Sequence, residues 1–110
     1  MPDWAKEFNS AVTVCNTNGI ILYMNKKAGK TFEKWGGIEL IGKSLFDCHN
    51  DHSVAKIKEL IATEKSNSYT IEKNGVKKLI HQAPWFKDGK CAGLVEISIE
   101  IPFDMSHFVR

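Results

Sequence analysis

A chain of 110 residues with 15 basic and 13 acidic side chains has the size of one domain and a formal charge of only +2. Hydrophobic residues make up 43% of the chain and charged residues 25%, a composition typical of globular proteins that excludes an intrinsically disordered chain. Binding to nucleic acids or anionic membranes requires a clustered basic surface, and so small a net charge does not predict one. We therefore expect neither of them as a partner.

The sequence shows no signal for membrane insertion or secretion. No apolar run approaches the ~20 residues that span a bilayer, and residues 1–8 lack the basic and apolar regions of a signal peptide. The three cysteines, Cys15, Cys48 and Cys91, are odd in number and widely separated, which suits reduced thiols better than a disulfide framework. We therefore expect a cytoplasmic protein.

The chain divides into one domain with a short segment at each end. Residues 1–8 are predicted to form a helical cap, because Trp4 and Phe8 stand four residues apart and so share one helix face. Residues 9–102 carry the strand and helix signals of the domain itself. Residues 103–110 follow it as a C-terminal tail.

A strand–turn–strand pattern opens the main domain. Residues 11–15 are small, β-branched and apolar, and residues 20–24 are apolar enough to be buried on both faces. Between them, Asn18-Gly19 is the dipeptide most compatible with positive φ at both central residues of a two-residue hairpin turn. Asn25 follows, and its side-chain oxygen can accept hydrogen bonds from the free backbone N–H groups of a helix that begins at Lys26.

Helical spacing dominates the next part of the chain. Ala28, Phe32 and Trp35 recur at roughly helical intervals, and Gly36-Gly37 supplies the left-handed residue that ends a helix. Short helical turns are expected over residues 38–42 and 44–49.

A longer helix is predicted from about residue 54 to residue 64, with Asp51 or Ser53 as its N-cap. The apolar residues of this helix share one face that can pack against a sheet, and they are Val54, Ile57, Leu60 and Ile61.

The remaining chain is rich in strand signals. Residues 68–72 alternate in polarity, Asn74-Gly75 marks a turn, and a strand over residues 76–84 follows. Asp88-Gly89 is a second hairpin signal. Residues 94–101 then alternate strictly, with an apolar row (Val95, Ile97, Ile99 and Ile101) on one face and a polar row (Glu96, Ser98 and Glu100) on the other.

The order of the predicted elements, which is two strands, several helices and then three strands, limits the fold class. A strand pair near each end with helices between them predicts an α+β domain, in which helices cover one face of a five-stranded antiparallel sheet.

Four segments in this order resemble a PAS domain over about residues 8–102. They are the opening Asn18-Gly19-x-Ile-x-Tyr-x-Asn25, the run Glu39-Leu40-Ile41-Gly42-Lys43-Ser44-Leu45-Phe46-Asp47, the helix over residues 54–64, and the final hairpin around Asp88-Gly89 and Gly93. The Asp47-Cys48-His49 variant and the tail are similar to those of small stand-alone bacterial PAS proteins. The resemblance implies the PAS fold and a sensory or protein-interaction role in signal transduction.

The resemblance also implies a cavity between the sheet and the helices that takes a small apolar or amphipathic ligand. The apolar candidates for its lining are Phe32, Trp35, Ile57, Leu60, Ile61 and Tyr69, and His49 and His81 are the candidate polar contacts. Occupancy of this cavity would change how the domain pairs with a second copy or with a signalling protein.

Apolar residues beyond both ends of the domain indicate association. Exposed clusters of this kind mark interfaces, and the candidates are Trp4, Phe8, Phe103, Met105 and Phe108. We therefore expect a homodimer.

A haem sensor is an alternative reading, since haem-binding PAS domains use a histidine on the long helix. His49 and His52 lie beside the start of that helix and are the candidate axial ligands. A flavin is not expected, because the signature of light-sensing relatives is missing. No metal site is expected either, since structural zinc needs four ligands and no second ligand pair is visible.

A ligand-free dimerisation domain is a third reading, and an enzyme is not expected. The sequence has no Gly-x-Ser-x-Gly nucleophile elbow and no glycine-rich phosphate loop. The cofactor, if any, is not identified by the sequence.

Overall fold

A computed structural model describes residues 3–110 except His49 and the side chain of Cys48. Its helices are α1 (Asp3–Lys6), α2 (Lys26–Thr31), α3 (Leu45–Cys48) and α4 (Asp51–Thr63), with 3-10 turns at Glu33–Trp35 and Gly37–Leu40. Its strands are β1 (Ala11–Asn16), β2 (Ile21–Met24), β3 (Asn67–Lys73), β4 (Val76–Lys87) and β5 (Lys90–Ile101). None of the described helices is long and apolar enough to cross a bilayer.

The five strands form one antiparallel sheet in the order β2-β1-β5-β4-β3. The strands from the two ends of the chain therefore meet at the centre, where β1 pairs with β5. The helices between β2 and β3 pack over one face of this sheet, which confirms the α+β architecture expected from the order of the elements.

The turn of the first hairpin differs from the two-residue turn that was expected. Gly19 has a φ of 78°, whereas Asn18 does not adopt positive φ. The side chain of Asn16 explains the difference, because its Oδ1 accepts hydrogen bonds from the backbone N–H groups of Asn18 and Ile20 at 2.9 and 3.0 Å. The other two turns, Asn74-Gly75 and Asp88-Gly89, have positive φ at both residues, as a type I′ turn requires.

Asparagine side chains begin both of the main helices. Asn25 caps α2 as expected, with its Oδ1 accepting from the Ala28 N–H at 2.9 Å. The cap of α4 is Asn50 rather than Asp51 or Ser53, because the Asn50 Oδ1 accepts from the Ser53 N–H at 2.9 Å. The helix therefore begins three residues earlier than its apolar spacing indicated.

The polar row of β5, and not its apolar row, faces the helices. Leu94 and Glu96 face the space beneath the helices, so the alternating residues Val95, Ile97 and Ile99 lie on the opposite side of the sheet. We call these two sides the inner face and the outer face. On the outer face the apolar row lies between β1 and β4, where its cross-strand partners are Val12, Val14, Leu79, His81 and Ala83.

The inner face and the helices enclose two groups of buried residues. One group joins β1, β2, α2 and the second 3-10 turn, and it contains Ala11, Ile21, Met24, Ala28 and Leu40. The other joins β1, β5 and α4, and it contains Cys15, Ile57, Leu60 and Leu94. Leu45 on α3 packs against both groups.

Candidate functional site

A cavity of about 400 Å³ lies between the inner face of the sheet and the helices. Its lining takes residues from both buried groups, so the cavity borders both of them. The lining residues are Thr13, Cys15, Ile21, Met24, Phe32, Trp35, Leu40, Leu45, Ile57, Gln82, Leu94 and Glu96. Protein interiors contain few voids larger than a water molecule, so a space of this size is a candidate binding site.

Two aromatic rings cover one side of the cavity. Phe32 follows the last residue of α2 and Trp35 ends the next 3-10 turn, and their ring centroids are 6.3 Å apart. Trp35 lines the cavity and is 61% exposed, so one part of the lining is in contact with solvent.

Close backbone packing holds the two aromatic residues over the sheet. A Cβ atom on Gly37 would lie 3.0 Å from the carbonyl oxygen of Gly29, and a Cβ atom on Gly29 would lie 2.6 Å from Cγ2 of Ile38. The chain can fold back against α2 at this distance because neither glycine carries a side chain. The sequence Gly36-Gly37 thus positions the cavity wall in addition to ending the helical segment.

The floor of the cavity carries a row of polar side chains. Thr13 on β1 pairs with Glu96 on β5, which pairs with Gln82 on β4, which pairs with Asn67 on β3. Asn67 Nδ2 donates to Gln82 Oε1 at 3.1 Å, and Gln82 Nε2 donates to Glu96 Oε1 at 3.0 Å. We call these four residues the polar row of the floor. Three of them, all except Asn67, line the cavity.

Two ionisable groups near this floor have raised pKa values. Burial raises the pKa of the Cys15 thiol, and the nearby carboxylate of Glu96 raises it further, while a backbone hydrogen bond with Leu94 acts in the opposite direction. Burial also raises the pKa of the Tyr69 phenol, again with a contribution from Glu96. The negative charge of Glu96 therefore raises the pKa values of two groups on different strands, Cys15 on β1 and Tyr69 on β3.

We expect Cys15 to be alkylated by iodoacetamide much more slowly than Cys91 in the folded protein near pH 8.5. Only the thiolate reacts, and Cys15 is 2% exposed and has a raised pKa, whereas Cys91 is partly exposed. Peptide mass spectrometry after timed alkylation measures both rates, and urea-unfolded protein is the control in which the two rates should become similar. Equal rates in the folded protein would contradict the burial of Cys15.

The same raised pKa predicts a loss of stability in alkali. Since the unfolded chain ionises at the ordinary thiol pKa, it binds fewer protons than the folded chain once the pH exceeds about 8.5, and unfolding becomes easier as the pH rises. The contribution of Cys15 is fully present below that pH and is lost as the pH rises through the folded-state pKa. Urea titrations of the protein and of Cys15→Ala across this range would measure the difference in slope.

The structure brings only part of the predicted pocket together. Phe32, Trp35 and Ile57 line the cavity, Leu60 lies in the adjoining buried group, and Ile61 packs against that group while half-buried. His49 lies outside the described residues.

Tyr69 and His81 are strand residues that do not line the cavity. Tyr69 lies on edge strand β3 and is 43% exposed, so its side chain is only partly buried. His81 pairs with Ile97 on the outer face, where its Nδ1 lies 2.6 Å from the hydroxyl of Ser68. The irregular polarity of β4 near residue 81 did not indicate which face this histidine would take.

None of the described histidines lines the cavity. His52 is exposed in the first turn of α4, and no histidine occurs among the described lining residues. Among the side chains of residues 3–47 and 50–110, no group of three or more histidines, cysteines or acidic residues could hold a metal ion.

The candidate interface residues are exposed at both ends of the chain. Trp4 and Phe8 contact each other edge to face with ring centroids 5.5 Å apart, although the helix α1 covers only Asp3–Lys6 and Phe8 follows it. Phe103, Met105 and Phe108 are also exposed, in the segment that follows β5.

Sequence reasoning did not single out the polar floor. Thr13, Gln82 and Glu96 lie in segments that were predicted as strands, but nothing local indicates which strand face the helices cover. The alternation in β5 was the available signal, because it separates Glu96 from the apolar row.

Three solved structures illustrate the similarity of this fold to known proteins. VqmA bound to DPO superposes with a TM-score of 0.72 at 15% identity, over 89% of this chain and 55% of that chain. The PAS domain of histidine kinase ThkA gives 0.67 at 18% identity, over 82% and 97% of the two chains. The Aer2 receptor from Vibrio cholerae, described as a dual PAS-heme oxygen sensor, gives 0.61 at 16% identity, over 84% and 95%.

At these identities the likeness establishes the fold alone, and this chain spans about half of the VqmA chain. No curated protein matches the sequence. The family model of the PAS fold, in contrast, matches residues 6–102, which include the complete sheet and every described helix after α1. The chain therefore belongs to the PAS domain family.

Proposed function

We propose that this PAS domain is a cytoplasmic sensory module that binds a small molecule in the cavity between the sheet and the helices. The cavity of about 400 Å³ carries the proposal. Its volume is within the range of small-molecule sites, and its mostly apolar lining with a few convergent polar groups is typical of them. The VqmA structure bound to DPO supports a ligand-binding role by analogy of fold.

Strand β5 offers a direct route from the cavity to the outer face. Glu96 faces the cavity, while its neighbours Val95 and Ile97 face outward between β1 and β4. A ligand that displaces Glu96 therefore changes the surface that Val95 and Ile97 present. Since a ligand shifts a conformational equilibrium only through different contacts with the two states, we propose that this strand couples occupancy to partner binding.

The proposed partner surface is a second copy of the chain or a signalling protein. It combines the outer face of the sheet with exposed apolar residues at both ends, which are Trp4, Phe8, Phe103, Met105 and Phe108. In this reading the domain works by binding and carries out no catalysis.

Native mass spectrometry of the purified protein tests the ligand proposal. We expect a bound small molecule, and we expect Ile57→Phe to lose it, because the added ring occupies part of the cavity. Ile61→Phe is the matched control, since Ile61 is on the same helix but does not line the cavity. Loss of the bound mass in both variants, or in neither, would contradict binding at this site.

Haem binding is the first alternative, with His49 or His52 as the axial ligand. An absorbance scan of the same sample tests it, because bound haem gives a Soret band that the corresponding His→Ala substitution removes. A colourless protein that does not change on addition of haem would exclude this alternative.

A dimerisation domain without a ligand is the second alternative, and the exposed apolar residues at both ends favour it. It predicts a dimer in sedimentation equilibrium and no bound mass. A monomer across the accessible concentration range would exclude it.

A further inference from the structure

We infer that the ligand of this cavity is a small molecule with an apolar, ring-containing body and a positively charged or N–H donor group that binds the carboxylate of Glu96. The inference rests on the proposed function, since it names the chemical class of the ligand for the same cavity. Three observations on the inner face carry it.

The first observation is the direction of the hydrogen bonds along the polar row of the floor. Asn67 donates to the oxygen of the Gln82 side chain, which leaves the Gln82 Nε2 to donate to Glu96. Every described bond in this chain of side chains therefore runs toward Glu96, which ends it as an acceptor. A carboxylate offers about four acceptor positions, so capacity remains for a donor from a ligand.

The second observation is the charge of the lining. Glu96 is the only charged side chain among the described lining residues, and neither lysine nor arginine occurs there. The ion pairs found in the described part of the chain, Lys26–Glu7 and Lys56–Glu59, lie elsewhere. A carboxylate beside an apolar cavity is stabilised when a cation or a strong donor binds it, and a second anion is repelled.

The third observation is the distribution of polar and apolar groups around the cavity. The acceptor lies on the sheet floor, whereas the opposite wall is apolar and includes the rings of Phe32 and Trp35. A molecule that meets both surfaces needs a ring on one side and a donor on the other. Ligands whose recognition depends on a carboxylate or a phosphate do not suit this lining.

Three probes of similar size and different charge test the inference, namely phenethylamine, phenethyl alcohol and hydrocinnamate. They share a phenyl ring and carry a cationic, a neutral and an anionic end. Isothermal titration calorimetry with the full chain measures each affinity. We expect phenethylamine to bind at least about tenfold more tightly than hydrocinnamate, because a charge-assisted bond to Glu96 replaces a repulsion.

Glu96→Gln should abolish the preference for phenethylamine over hydrocinnamate. The substituted side chain keeps the same shape and still accepts a hydrogen bond from Gln82. Glu100→Gln is the matched control, because it removes the same charge from an exposed position on the same strand and should leave the preference intact. Glu96→Asp retains the charge and should retain the order of affinities. Thermal denaturation shows whether each variant is folded. If Glu96→Gln does not fold, the order of the three binding affinities on the unsubstituted protein decides whether the inference holds.

The outcomes separate this inference from the proposed function. If hydrocinnamate binds as tightly as phenethylamine, or if Glu96→Gln and Glu100→Gln behave alike, the assignment of the ligand class is overturned while the cavity remains a binding site. If none of the probes binds and the purified protein carries no small molecule, both the ligand class and the sensory function are overturned.

Discussion

Replacement of Asn25 by alanine is expected to lower the free energy of unfolding by about 4 kcal/mol. The side chain is 1% exposed, and both of its polar atoms are bonded twice. Its Oδ1 accepts from the N–H groups of Val12 and Ala28 at 3.0 and 2.9 Å. Its Nδ2 donates to the carbonyl oxygens of Ala5 and Ser10 at 2.9 and 2.8 Å.

The large expected effect follows from burial and not from capping alone. Alanine removes the Asn25 partner from the N–H groups of Val12 and Ala28 and from the Ser10 carbonyl, whereas the Ala5 carbonyl still accepts from the Phe8 N–H at 3.3 Å. Each buried group left without a partner costs about 1–3 kcal/mol. Since a domain of this size is stabilised by about 5–15 kcal/mol, the substitution removes a large part of the total. Urea denaturation followed by circular dichroism measures the loss.

Asn50→Ala is the matched control for the cap. Asn50 also accepts from a helix N–H, that of Ser53, but it is exposed and is the N-cap of α4 only. We expect it to cost about 1 kcal/mol, as N-cap substitutions usually do. Similar losses for Asn25→Ala and Asn50→Ala would show that the bonds of Asn25 to β1 and to the N-terminal segment do not stabilise the fold.

Gly93→Ala is expected to destabilise the domain by more than about 3 kcal/mol. Gly93 lies at the centre of the sheet, where it pairs with Asn16, and its φ of 148° disfavours any side chain. A Cβ atom there would collide with the carbonyl oxygen of Cys15 and would lie 2.8 Å from the Cα of Asn16. Because both obstacles are backbone atoms, the methyl group is accommodated only if β1 and β5 separate.

The same carbonyl explains why the effect should extend to the cavity. The indole Nε1 of Trp85 donates to the Cys15 oxygen at 3.0 Å, so displacement of this oxygen also breaks a bond between β4 and β1. Cys15 itself lines the cavity. We therefore expect any Gly93→Ala protein that still folds to bind small molecules more weakly, which calorimetry with phenethylamine can measure.

Gly89→Ala is the control that separates the cost of the steric collision at Gly93 from the cost of placing a side chain at positive φ. Gly89 also has positive φ, at 80°, but a Cβ atom there would meet nothing within 4 Å. Its cost should be about 1–2 kcal/mol, which is the usual penalty for a left-handed residue with a side chain. If urea denaturation gave the two alanine variants equal losses, the close approach of β1 and β5 at Gly93 would have no energetic consequence.

Much of the fold was predictable because its signals are local. The order of strands and helices, the Asn25 cap and the turns at Asn74-Gly75 and Asp88-Gly89 each depend on a few neighbouring residues, and the structure confirms them. The first hairpin departed from prediction because the Asn16 side chain supplies hydrogen bonds that a pattern for the turn dipeptide alone does not consider.

The candidate site was less predictable because it depends on contacts between distant segments. Phe32, Trp35 and Ile57 were candidates because the resemblance to PAS domains implies a cavity beside the predicted helices, whereas the polar row of the floor requires four strands in register. The hydrogen bonds that Asn25 Nδ2 donates were equally unpredictable from local sequence, because their acceptors, the carbonyls of Ala5 and Ser10, lie 20 and 15 residues away.

The sequence by itself determined the order of the elements and the division of β5 into an apolar and a polar row. It could do so because strand periodicity and turn conformation follow from backbone geometry over a few residues. Only the tertiary structure decided that the polar row with Glu96 faces the helices and that the apolar row faces outward. The reason is physical: alternation separates two faces, but which face is covered depends on where the rest of the chain packs.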